Sequence, residues 1–68
     1  MIIKYDVEFC YKDLYSETYE IKRKEQLKSD AIPRIGEIIE YNGSWEVFEI
    51  IHRYVEKTGY MNIIVRVR

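Results

Sequence analysis

Two side chains in this sequence have the usual chemistry of catalysis: one histidine, His52, and one thiol, Cys10. A histidine base needs a nucleophile within hydrogen-bond reach and a further group to orient it. His52 and Cys10 lie far apart in the chain, and neither sits in a local signature of a cysteine enzyme. His52 therefore reads as a structural strand residue, and no enzyme is expected. One His and one Cys do not make the usual four-ligand zinc set. Glu37, Glu40, Glu46 and Glu49 could add carboxylates, but they fall on different strand faces and read as a solvated acidic hairpin. Gly36, Gly43 and Gly59 are isolated turn glycines rather than a phosphate-cradling loop. No metal and no cofactor are expected.

The aromatic residues carry more information. Seven tyrosines, two phenylalanines and one tryptophan are many for 68 residues. Such rings line the grooves that grip Pro-rich peptides. Beside cations they stack on the bases of single-stranded nucleic acid. They also fill small cores. Strand register assigns Tyr5, Phe9 and Tyr19 to the core. Tyr11, Tyr15, Tyr41, Tyr54 and Tyr60 fall near strand ends or turns and are the surface candidates. Trp45 is expected to be partly buried beside a turn.

The net charge of −1 points to neither nucleic acid nor membrane as a bulk partner. Its distribution is uneven. Residues 36–49 carry four glutamates and no base, whereas Lys22, Arg23, Lys24 and Lys28 cluster against Glu25. Arg53, Lys57, Arg66 and Arg68 follow against Glu56. If the two basic segments meet, they form a cationic patch beside Tyr54 and Tyr60 that suits phosphate contact. The favoured alternative is solvated faces with cross-strand ion pairs, each worth little. The candidate binding residues are thus Tyr54, Tyr60, Arg53, Arg66, Arg68 and Trp45.

The elements that must position them are strands. Ile3, Tyr5, Val7, Phe9 and Tyr11 alternate with Lys4, Asp6, Glu8, Cys10 and Lys12, a period of two that predicts a strand over 3–11. Lys12-Asp13 predicts a tight turn. A second, more polar strand is expected over 14–24, at a sheet edge. Residues 25–31 read as a loop with at most one helical turn. Pro33 marks entry to a third strand over 36–41, with Ile38 or Ile39 inward. Asn42-Gly43 is the strongest hairpin signal, since both residues tolerate the positive φ of a type I′ turn. A long fourth strand over 44–55 needs a bulge near Phe48-Glu49 to reset its alternation. Glu56 to Gly59 form a turn. A fifth strand over 60–68 places Met61, Ile63, Val65 and Val67 inward, and Asn62, Ile64, Arg66 and Arg68 outward.

At 68 residues the chain is one domain, 1–68. A domain of this size buries roughly 60% of its unfolded surface, so its stability is expected at about 3–10 kcal/mol. A single cysteine excludes an intrachain disulfide and fits a reducing compartment. No apolar run approaches the roughly 20 residues of a membrane span, and the first residues, lacking a basic region before an apolar stretch, are not expected to act as a signal peptide. Cytoplasmic location and no membrane partner are expected.

The segments Pro33-Arg34-Ile35-Gly36-Glu37-Ile38-Ile39, Asn42-Gly43-Ser44-Trp45-Glu46-Val47 and Ile50-Ile51-His52 resemble a pattern of SH3-like small β-barrel domains of bacterial and phage proteins. There, a Pro-x-x-Gly-Glu segment opens a strand, a tight turn follows, and an aromatic residue begins the next strand. The resemblance implies an all-β, five-stranded, antiparallel SH3-like barrel, with an OB-like barrel as the alternative. It carries no functional residue with it, because function resides in sites grafted on folds. The expected role is a non-enzymatic protein-interaction module, such as an accessory or inhibitor protein of a phage or mobile element. Its partner would be another protein or a second copy. The alternative is a small nucleic-acid-binding barrel.

Overall fold

Alternation along the first strand sets up the whole molecule. Tyr5, Val7 and Phe9 are buried at 6%, 0% and 4% exposure, as residues two apart on one face of a strand must be if that face meets the core. The computed structural model describes residues 1–12, 15 and 17–68. Its five strands are β1 (Ile3–Tyr11), β2 (Glu20–Ser29), β3 (Ile38–Glu40), β4 (Ser44–Val55) and β5 (Tyr60–Val67). They form one sheet in the order β2-β1-β5-β4-β3, curled into a half-barrel.

The expected all-antiparallel arrangement is corrected: the sheet is mixed. β1 pairs antiparallel with β2, and β5 with β4, but β1 and β5 run parallel. The cause lies in the link from β2 to β3. These strands are the two opposite edges of the sheet, so residues 30–37 must cross its concave face. Ile32 packs against the core as they do so. β3, β4 and β5 then return strand by strand, and β5 arrives beside β1 in the same direction.

The second strand also differs from expectation. It spans Glu20–Ser29 rather than 14–24, so residues 25–29 are strand and not a loop. Lys22, Lys24, Gln26 and Lys28 gave no apolar alternation to reveal it. Pairing with β1 along its length decides the outcome (Tyr5 opposite Leu27, Val7 opposite Glu25). The expected turn at Lys12-Asp13 falls partly outside the described residues, as do Leu14 and Ser16. β3 is shorter than expected, and Ile39 is its core-facing residue while Ile38 is 59% exposed.

β4 matches its expected bounds, including the bulge. Its register with β5 shifts between Val47 and Glu49. The extra residue, Phe48, lets Val47 and Ile50 both serve the core. The Asn42-Gly43 turn holds positive φ at both residues, 51° and 128°. With Glu40 opposite Ser44, however, three residues close it rather than two. Trp45 donates its Nε1–H to the Tyr41 carbonyl at 2.9 Å, tying the turn to the strand.

The core on the concave face is Tyr5, Val7, Phe9, Val47, Val65 and Val67, with Leu27, Ile39, Tyr41, Trp45, Ile50 and Ile63 packed around it. Each fully buried valine contributes about 1.5–3 kcal/mol over leaving it exposed. Phe9 stacks on Tyr41 and meets Trp45 edge-on, at 5.8 and 4.8 Å between centroids. The Arg23 guanidinium on β2 lies 5.3 Å from the ring centroids of both Phe9 and Tyr41. It thereby clasps one sheet edge to the turn at the other, a cation–π contact across the side where no strand pairing closes the barrel.

Candidate functional site

The parallel pairing of β1 with β5 is short. It joins Asp6–Phe9 to Ile64–Val67 and stops. On their outer flanks both strands stay paired: Ile3 with Ser29 and Tyr5 with Leu27 on one side, Tyr60 with Val55 and Asn62 with Arg53 on the other. Before Asp6 and Ile64 the two strands therefore open as a fork whose inner edges are not bridged to each other. A groove of about 250 Å³ occupies the fork, lined by Lys4, Tyr5, Asp6, Gln26 and Tyr60 to Ile63. The β4–β5 hairpin projects past it as an arm. Tyr54 and Met61, directly opposed on the arm, are 59% and 54% exposed, and Tyr60 is 73% exposed. Met61 was expected to point inward. It does share the core-side face, but the core ends at Ile63.

The convex face carries the charges, and register sorts them into rows. One row runs Lys24, Glu8, Arg66, Glu49 across β2, β1, β5 and β4, with alternating sign. Arg66 sits 3.0 Å from Glu8 and 2.9 Å from Glu49, and Lys24 approaches Glu8 at 3.7 Å. Hydrogen bonds donated to Glu49 and then Glu8 hold the Arg66 guanidinium more firmly protonated than usual. Arg68 pairs with Glu46 at 3.1 Å and donates to the Tyr19 hydroxyl at 2.7 Å. Tyr19 stacks on Phe48 at 4.5 Å, so it lies on the convex side and not in the core as expected. Ile64, expected to be exposed, is on the expected face but only 4% accessible.

A second row, at the fork, differs in kind. Lys4 and Lys28 are directly opposed across β1 and β2, and Arg53 is opposed to Asn62 across β4 and β5. Among the described residues, none of Lys4, Lys28 and Arg53 has an ion pair.

The six residues singled out in the sequence therefore separate. Arg53, Tyr54 and Tyr60 all lie on the arm, Arg53 and Tyr60 on one face and Tyr54 on the other. Arg66 and Arg68 sit in ion pairs at the other end of the sheet. Trp45 is partly buried against Phe9. Tyr41, a surface candidate, is half-buried on the same ring. The two basic segments do meet, at Lys24 and Arg66, but Glu8 lies between them. Lys4 was missed because a lysine in an alternating strand looks like an ordinary solvated position. Only the register that sets it against Lys28 marks it.

Cys10 and His52 do not meet. Cys10 is 3% exposed on the convex face, and His52 is on the core-side face of β4 opposite Ile63. Burial pushes the Cys10 thiol up, against the opposing pull of Arg66. Among the described residues, no group of three His, Cys, Asp or Glu side chains is placed to hold a metal. No helix among them is long and apolar enough to cross a membrane. Compared with protein-family models, curated proteins and solved structures, the chain matches none.

Proposed function

We propose that the chain is a non-enzymatic protein-interaction module whose recognition surface is the projecting β4–β5 arm and the fork beside it. The observation that carries this reading is the exposure of Tyr54, Tyr60 and Met61 on one paired hairpin, Tyr54 and Met61 on one face and Tyr60 on the other. Tyrosine is a frequent anchor of interface hot spots, and strand pairing holds the backbone of this arm in place. The fold family that fits is the SH3-like small barrel, from the five short strands, the bulged long strand and the turn leading into Trp45; an OB-like barrel is the alternative. A buried free thiol suits a reducing compartment such as the cytoplasm. A small accessory or inhibitor protein of a phage or mobile element fits the size and the separation of Cys10 from His52. The second reading, a nucleic-acid-binding barrel, is weakened because Arg66 and Arg68 are already engaged by carboxylates.

The test is affinity capture from nuclease-treated lysate with the wild type and with a Tyr54→Ala/Tyr60→Ala variant. A protein retained by the wild type and lost by the variant supports the module. Capture of nucleic acid alone from untreated lysate, unaffected by the variant, would replace it with the second reading.

A further inference from the structure

The row of cations at the fork is costly as it stands. Like charges directly opposed across an antiparallel pair destabilise it, and Lys4 faces Lys28 in that way. Elsewhere on the convex face the sheet avoids this cost: Lys24, Arg66 and Arg68 each have a glutamate. The exception coincides with the place where the ladder between β1 and β5 ends. Lys4, an exposed tyrosine and strand edges not bridged to each other thus line one groove, with Lys28 and Arg53 flanking it on the neighbouring strands.

We infer that the fork is a docking site for an acidic, extended peptide segment of a partner protein, an inference that rests on the interaction-module reading above. Chain edges are recognised by strand addition, in which main-chain hydrogen bonds give affinity and side-chain contacts give specificity. The ladder closes the fork at Asp6 and Ile64, so a segment enters from the open end. Its backbone pairs with residues 3–5 or 60–63, and its carboxylates reach Lys4, Lys28 and Arg53. Tyr60, on the same face as Arg53 and Asn62 by register, covers its apolar part. A second copy of this chain is a poor occupant, because it would bring its own unpaired lysines to the same row. Among the described residues, Asp6 is the single acid lining the groove. It stands at the closed end and opposes the ligand's charge.

The probe is a displayed library of random dodecapeptides, selected on immobilised full-length protein at low salt and again at about 0.15 M salt. The expected result is enrichment of Asp and Glu over the starting library. An enriched peptide should shift the amide resonances of residues 3–6 and 60–63. Charge reversal at Lys4 and Lys28 (K4E/K28E) should weaken it about two- to thirtyfold, from two exposed pairs, and Asp6→Asn should tighten it. Both lysines are exposed, so the double variant is expected to fold, and its amide spectrum verifies this. Enrichment of neutral or basic peptides whose binding is lost on Tyr54→Ala would overturn the acidic ligand while leaving the module intact. No enrichment of any peptide would count against both. Binding of a single-stranded oligonucleotide at the same resonances, stronger than any selected peptide, would assign the cation row to phosphate instead.

Discussion

Replacing Arg66 with methionine probes the alternating charge row most sharply. Methionine keeps most of the apolar stem and removes the guanidinium. Glu8 then stays in place with a side chain only 10% exposed, and its remaining cation, Lys24, is 3.7 Å away and 67% exposed. Stranding a carboxylate at such a site costs about 2 kcal/mol. The lost pair with Glu49, which is 46% exposed, adds about 0.5 kcal/mol. A loss of about 2–3 kcal/mol is a large part of the roughly 3–10 kcal/mol available to a chain of this length. With a urea slope near 1 kcal/mol per M, the midpoint falls by about 2–3 M. Trp45 fluorescence reports the transition, since its ring packs on Phe9 in the core. The decisive comparison is the Glu8→Gln/Arg66→Met double variant. It leaves no buried unpaired charge and should recover about 1 kcal/mol relative to Arg66→Met alone. An Arg66→Met midpoint within about 0.5 M of wild type, or a double variant less stable than the single, refutes the role assigned to the row.

Other outcomes follow from the same packing. Val65→Ala, at a fully buried central position, should cost about 2 kcal/mol in the same urea assay, from lost transfer energy and the cavity left behind. Gly43→Ala, at φ 128°, should cost about 1 kcal/mol because an L side chain is strained there; thermal unfolding measures it. Tyr54→Ala and Tyr60→Ala should each change stability by less than about 0.5 kcal/mol, so any loss of binding is a surface effect. Cys10 should resist a soluble disulfide reagent at pH 8 and react at the rate of opening. Its thiol is raised by burial, so the unfolded chain loses its proton first as pH rises. Stability is then fully present below the ordinary thiol value of about 8.5 and declines above it. Cys10→Ala should remove that alkaline decline.

How much of this was legible in the sequence differs strand by strand. β1 and β4 have the bounds their alternation implied, and the bulge at Phe48 followed from the slip between Val47 and Ile50. β2 did not, because an edge strand facing solvent needs no apolar period, and its pairing is fixed by β1 instead. The parallel contact of β1 with β5 depends on where residues 30–37 cross, which no local pattern encodes. For the same reason the arm of Arg53, Tyr54 and Tyr60 was visible as a cluster in sequence, whereas Lys4 and Asp6 join it only through that crossing. Arg66 and Arg68 looked like free cations because their glutamates come from other strands.

Hydrogen exchange of the protein with and without a captured partner tests the interaction reading most directly. The expected footprint is slowed exchange at residues 53–62, with residues 3–6 beside them, and little change elsewhere. Protection confined to the opposite end of the sheet, around Glu46, Arg66 and Arg68, would contradict the assignment of the arm and fork as the recognition surface.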